Sequence, residues 1–418
     1  MTSLSQGDIM LAAALVFGLA TACQVLAPLL RVPALILLLP VGFVLGQVAP
    51  QLRANQILGP AFPVVVDLIV ALILFQGGME LGKIRMQGTD RDVVRRLVRL
   101  GAPLTWLSAT ALSYFILGLS WPMSFLLGAI VVVSGPTVVT PILDFARPTP
   151  RIRGILMWES TTLDPLGGIL AVVIFQVILV SDSNGPLDAI GAFLWTMAVA
   201  FVMGAAGVLL VVLGSRLVHG NGLLGMQVLI GSVLFAAGFA NFLADGSGLL
   251  TALLMGVATR PLASRLNAPI DRAEPFFDTV TSLGIGVLFI SIAALVSSSI
   301  LASVVLPALG VSLVLILIVR PVVAAMCTRR EGLTRSERAF IGWMDPRGIV
   351  AAATASSVGA ALVAAKVPDA QVLLPAAFTI VAVTVFVYGL TAVPVAKALG
   401  IRDSAAPDAQ ALPAGESA

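Results

Sequence analysis

Charge is scarce in this chain: of its 418 residues only 11% are Asp, Glu, Lys or Arg, while 59% are hydrophobic. Soluble domains are charged at about a quarter of their residues, so a water-soluble fold is excluded. Histidine is nearly absent. His219 stands alone in a short basic loop, which removes a zinc-ligand set. The two cysteines, Cys23 and Cys327, both lie in apolar stretches, so neither a disulfide framework nor a thiolate metal site is supported. Lys and Arg number 24 against 21 Asp and Glu, but no basic cluster alternates with aromatics on a polar face. The small surplus therefore does not point to nucleic acid. No cofactor-binding motif and no enzyme chemistry is indicated.

Long apolar runs fill the chain instead. A bilayer core of about 30 Å needs roughly 20 apolar residues per helix, and the hydropathy pattern predicts spans at 8–27, 33–49, 62–82, 101–118, 122–143, 152–180, 187–213, 223–243, 247–259, 276–296, 299–327, 336–361 and 371–396. This is an all-α polytopic membrane protein of about thirteen helices. The first span has no Lys or Arg before it and carries Asp8, so it reads as a retained helix rather than a signal peptide. With the N-terminus outside, 20 of the 24 basic residues fall in inside loops. The positive-inside rule then orients the chain N-out and C-in. The basic stretch from Lys83 to Leu100 reads as an amphipathic segment along the cytoplasmic interface, an anchor with a possible lipid contact. Residues 1–402 form the transmembrane domain, and the Ala/Pro-rich stretch 403–418 reads as a disordered tail or linker.

Two spans carry a helix breaker at their middle: Ser134-Gly135-Pro136-Thr137 in the fifth and Asp345-Pro346-Arg347-Gly348 in the twelfth. Proline ends the helix before it and favours the first position of the next one. Ser134 or Gly135, and Asp345, stand where capping residues are wanted. Pro165 and Pro321 read as packing kinks. The breaks lie seven spans apart, and an odd number of spans reverses direction. This predicts an inverted-topology repeat with two broken crossing helices and a substrate site at the midplane.

Ionisable groups deep in a membrane are costly and usually functional. In the sixth span Ser160 shares a helix face with Asp164, Thr161 lies beside it, and Glu159 faces away. Asp164 with Ser160 and Thr161 offers oxygen ligands for a small cation. Desolvation disfavours a bare carboxylate, so a proton or a cation can neutralise it in turn. Competition at one group is an exchange mechanism. Glu159 wants a fixed partner, and Arg320 is the predicted one. Asp345 and Arg347 read as caps and compensators of the half-helix dipoles. Gln76 fits packing and site lining equally.

Taken together, RVPALILLLPVGFVLG, ILFQGGMEL, SGPTVVTPIL, WESTTLDP, the Val319-Arg320-Pro321 run and GWMDPRGIVAAATA resemble the monovalent cation:proton antiporter superfamily on its sodium/proton exchanger side, over nearly all spans. The resemblance implies a thirteen-helix fold, a homodimer through a scaffold domain, and a moving core that carries the broken helices. It also implies that Asp164 is the exchanged-ion carboxylate, Ser160 a ligand neighbour and Glu159 the partner of Arg320. Thr161, Ser134 and Thr137 complete the expected cation set.

Two departures stand out. The exchanger pattern has Thr-Asp-Pro at the first break where this chain has Ser134-Gly135-Pro136, and Asn-Asp where it has Leu163-Asp164. A bacterial branch with Gly-Pro-Thr is nearer, and its members often continue into a cytoplasmic nucleotide-binding domain. No glycine-rich phosphate loop follows the last span here, and the 403–418 stretch reads as the place where such a domain was lost or cut away. The expected activity is electroneutral exchange of Na+ or K+ for H+ in a bacterial inner membrane. A gated cation channel or efflux pathway of the same fold, and an organic-anion symporter of similar architecture, are the alternatives.

Overall fold

The computed structural model describes residues 6–30, 32–59, 61–81, 88–180, 186–218, 221–265, 274–329 and 332–403. The expected tail beyond Asp403, His219 and the start of the basic stretch at Lys83 lie outside the described residues. The helices are α1 Gln6–Leu30, α2 Leu35–Val48, α3 Ala54–Leu58, α4 Ala61–Leu81, α5 Gly88–Arg96, α6 Ala102–Leu117, α7 Trp121–Val132, α8 Pro136–Ala146 and α9 Pro150–Val180. They continue with α10 Pro186–Leu217, α11 Gly222–Leu243, α12 Ser247–Arg265, α13 Glu274–Ala294, α14 Ser298–Val314, α15 Arg320–Thr328, α16 Arg335–Trp343, α17 Ile349–Ala364 and α18 Ala370–Ala398. Among the described residues the only β pairing is an isolated bridge between Pro148 and Arg402.

Each predicted span falls on one of these helices or on a consecutive pair. Among the described residues seven helices are long and apolar enough to cross a membrane by themselves, and the α7–α8 pair, bent by 43°, makes an eighth. Shorter apolar helices such as Leu35–Val48 and Val350–Ala364 occupy further predicted spans. Exposed Phe115, Leu209, Phe242 and Leu306 put large apolar side chains on the outer surface, as a lipid-facing bundle requires.

Two groups of helices pack side by side. One holds α5 to α9 with α14 to α18, and its core includes Leu126, Ile142, Ile155 and Ile380. The other is built on α4, α10, α11 and α12, around Phe75, Val233 and Met255, while α13 packs on α2 and α1. Close backbone approach fixes the second group's seams. A side chain at Gly78 would meet the Leu253 carbonyl of α12 at 2.7 Å, and one at Gly42 the Ile290 carbonyl of α13 at 2.6 Å.

The basic stretch departs from expectation. It is not a separate helix lying on the surface: Asp90–Leu117 is one run, with a π-helical turn at Leu97–Gly101 joining α5 to α6. No breaker stands before Gly101, and Val93 and Leu97 are buried in the core, which pins these first turns to the bundle. A second π turn, Leu315–Val319, joins α14 to α15. Each π turn therefore precedes one of the two broken helices, α7–α8 and α16–α17. That recurrence matches the inverted repeat read from the two breaks.

Candidate functional site

α7 ends at Val132 and α8 begins at Pro136, with Gly135 as its N-terminal flanking residue and no side-chain cap. Ser134 is not the cap. Its hydroxyl donates to the Pro346 carbonyl, 3.1 Å away on the opposite link. α16 ends at Trp343 and α17 begins only at Ile349, flanked by Gly348. Pro346 thus lies inside a longer unwound link, and Asp345 is not a helix cap either. The reason is electrostatic: its carboxylate is held by Arg347 at 2.8 Å and lies 4.0 Å from Arg320. The two links cross in contact. The Gly348 N–H donates to the Val133 carbonyl at 3.5 Å, and a Cβ on Gly348 would stand 2.8 Å from the Gly135 nitrogen. Only glycine permits this approach.

Asp164 reaches the crossing from α9. It is fully buried, and neither carboxylate oxygen has a hydrogen-bond partner among the described residues. A Cβ on Gly135 would be 3.0 Å from its Oδ2, and one on Gly348 would be 3.6 Å from its Oδ1. The carboxylate therefore sits against the N-terminal flanks of both α8 and α17, whose dipoles favour negative charge. The buried hydroxyls of Thr137 and Thr161 are likewise without partners. Ser160 is buried and its hydroxyl donates to the Met157 carbonyl at 3.0 Å. A hydroxyl that has given its proton keeps lone pairs for a cation, as Ser134 and Ser160 do.

The other buried charges are paired. Arg320 donates to both carboxylate oxygens of Glu159, at 2.6 and 2.8 Å, and its Nε donates to the Ile341 carbonyl at 3.0 Å. Arg347 pairs with Asp345 and donates to the Val132 carbonyl at 3.3 Å, while its backbone N–H is held by the Thr384 hydroxyl. Each arginine thus touches a carbonyl near the C-terminal end of a half-helix, α16 for Arg320 and α7 for Arg347. Cations are favoured there. Four charges cancel within one network.

Two cavities approach the crossing. One of about 220 Å³ is lined by Gln76, Gly77, Pro136, Thr137 and Thr281. Gln76 accepts a hydrogen bond from the Thr281 hydroxyl, so it both packs and lines. The other, of about 340 Å³, is lined by Asp67, Gly168, Asn241, Asp245, Val350 and Thr354. The first cavity's lining includes Pro136, next to Gly135, and the second's includes Gly168, one turn beyond Asp164, and Val350, two residues past Gly348. Among the described residues no group of three or more His, Cys, Asp or Glu is arranged to hold a metal. Mixed carboxylate and hydroxyl oxygens of this kind suit a hard cation rather than a soft one.

Gly135 stands at the N-terminal flank of α8, one of the two cap positions expected from the sequence; the contact between Gly135 and Gly348, and the parts played by Thr281 and Thr384, were not foreseen. Gly135 adjoins Pro136 and Gly348 lies two residues past Pro346, a signal present in the motifs. Thr281 and Thr384 carry no local signal, because their roles depend on helices distant in the chain.

The family pattern described as sodium/hydrogen exchanger, transmembrane, matches residues 11–398. Na(+)/H(+) antiporter 1 of Methanocaldococcus jannaschii is 27% identical over 355 residues, covering 80% of this chain and 79% of that protein. K(+)/H(+) antiporter NhaP2 of Shewanella sp. strain ANA-3 is 25% identical over 363 residues, covering 86% of this chain. The match takes in 61% of that relative's length, so the chain spans about three fifths of it. The solved structure of the sodium proton antiporter MjNhaP1 from Methanocaldococcus jannaschii at pH 8 has the same fold, with a TM-score of 0.79 over 94% of this chain and 99% of that one, at 23% identity.

Proposed function

The chain belongs to the sodium/hydrogen exchanger family, a family of membrane transporters and not enzymes, and on that footing we propose that it exchanges a monovalent cation, Na+ or K+, for H+ at Asp164. One observation carries this reading: a fully buried carboxylate with no hydrogen-bond partner among the described residues, set where two unwound links cross. Such a group is costly to leave charged and bare, so it takes up either a proton or a cation. Occupancy by one excludes the other. Exchange then needs only that Asp164 face each side of the membrane in turn, loaded both ways.

The two cavities supply the paths. The one lined by Gln76 and Thr137 lies beside the start of α8, and the one lined by Asp67 and Thr354 lies along α9 and α17; Asp164 lines neither, and each path opens to it as the helix groups move. Alternating access is a movement of the α5–α9 and α14–α18 group against α4, α12 and α13, closing one path as the other opens. Thr137, Thr161, Ser160 and Ser134 furnish neutral oxygens around the cation. Glu159, Arg320, Asp345 and Arg347 hold the half-helices in register and do not load ions. With one acid cycling, exchange is one for one and electroneutral. The membrane is a bacterial inner membrane, the N-terminus lies outside, and the protein works as a homodimer embedded in lipid.

Reconstitution into liposomes with pH-sensitive and voltage-sensitive dyes tests the reading. An imposed Na+ or K+ gradient drives counter-movement of protons, with a steady state indifferent to membrane voltage. Lowering the pH raises the apparent KM for the cation, since protons compete for Asp164. Cation flux without proton movement would instead identify a channel of the same fold, and a voltage-dependent steady state would overturn the stoichiometry.

A further inference from the structure

We propose that the cleft between α5 and α9 binds the phosphate of an anionic lipid headgroup. Arg91, Arg95 and Arg99 stand four residues apart along the first turns of the Asp90–Leu117 helix, and all three line a cavity of about 340 Å³ with Trp158 and Thr162 of α9. Acidic neighbours offset only part of its charge. Asp90 is committed to Arg151 at 2.8 Å, and Asp92 pairs with Arg95 at 3.2 Å in an exposed contact that solvent screens. Among the described residues no carboxylate pairs with Arg91 or Arg99.

The second observation is a donor. Trp158 stands in the wall of this cleft, and its buried indole Nε1–H finds no acceptor among the described residues. An indole only donates, and a buried donor seeks an acceptor. Three guanidiniums and an indole N–H around one cleft match the several acceptor oxygens of a phosphate.

Two features favour a lipid over a soluble anion. The arginines sit at the start of a helix that continues into an apolar span, which is headgroup level. Directly beyond them the same helix exposes Leu100 and Leu107, each more than half accessible, alongside which acyl chains can lie. The occupied cleft ties α5 to α9, the helix that carries Glu159 and Asp164. Binding is read without transport, so it stands or falls apart from the exchange mechanism.

The test uses the full chain in a neutral detergent, titrated with dioctanoyl phosphatidylglycerol, dioctanoyl phosphatidylcholine or inorganic phosphate, following the melting temperature and tryptophan fluorescence. Phosphatidylglycerol raises the melting temperature and perturbs fluorescence, while the other two do neither. The triple variant Arg91→Gln, Arg95→Gln, Arg99→Gln binds phosphatidylglycerol about a hundredfold more weakly. Trp158→Phe binds it about tenfold more weakly and loses the fluorescence change. Should the Gln variant not fold, the triple Lys variant retains the charge but not the planar fork, and its affinity falls between the two. Equal responses to phosphatidylglycerol and phosphatidylcholine, a full response to phosphate alone, or wild-type affinity in the arginine variants would each overturn the proposal.

Discussion

Two sets of buried charge lie within α9 and its neighbours, and they are built on opposite plans. Glu159, Arg320, Asp345 and Arg347 are paired at 2.6 to 2.8 Å and linked into one network. Asp164, five residues along the same helix from Glu159, has no partner for either oxygen among the described residues. A buried pair stripped of one member leaves an uncompensated charge, so the network serves architecture. A buried carboxylate left without protein partners is the one free to change its ligand. Neighbouring acids on one helix thus divide structure from transport.

Substitutions break this contrast in order of effect. Asp164→Asn abolishes cation–proton exchange in proteoliposomes while leaving the melting temperature unchanged or higher, because no pair is lost. Glu159→Gln does the reverse to stability: Arg320 is left uncompensated and unfolding is about 3–5 kcal/mol easier, seen as a lower melting temperature in detergent. Gly135→Ala presses a methyl to 3.0 Å from Asp164 Oδ2. The crowding costs about 1–3 kcal/mol, read as weaker cation binding more than as unfolding. Ser134→Ala removes one hydrogen bond between the links, to the Pro346 carbonyl. That change costs about 1 kcal/mol of stability, measurable by the same melt.

The contrast was largely legible before the fold was known. An acid inside an apolar run is conspicuous, so Asp164 and Glu159 stood out; of the two deep arginines, Arg347 sits in the second break beside Asp345, which left Arg320 for Glu159. The prolines marked both breaks for the same local reason. What escaped depends on partners distant in sequence. Asp345 precedes a proline as a cap would, yet Arg347 and Arg320 claim it once α15 and α16 pack together. Gly135 and Gly348 matter because two backbones cross, which no single segment reveals. The basic stretch resembled a surface helix, because its charges hide how Val93 and Leu97 tie it to the core.

Calorimetric titration of Na+ or K+ into the purified protein, with released protons counted by varying the buffer's ionisation enthalpy, bears most directly on the role of Asp164. Competition at this one carboxylate predicts a count of protons released per cation bound that rises towards about one as the pH is lowered and falls towards zero as it is raised, and no cation binding in Asp164→Asn. Cation binding without proton release at every pH, or undiminished binding in Asp164→Asn, would contradict it.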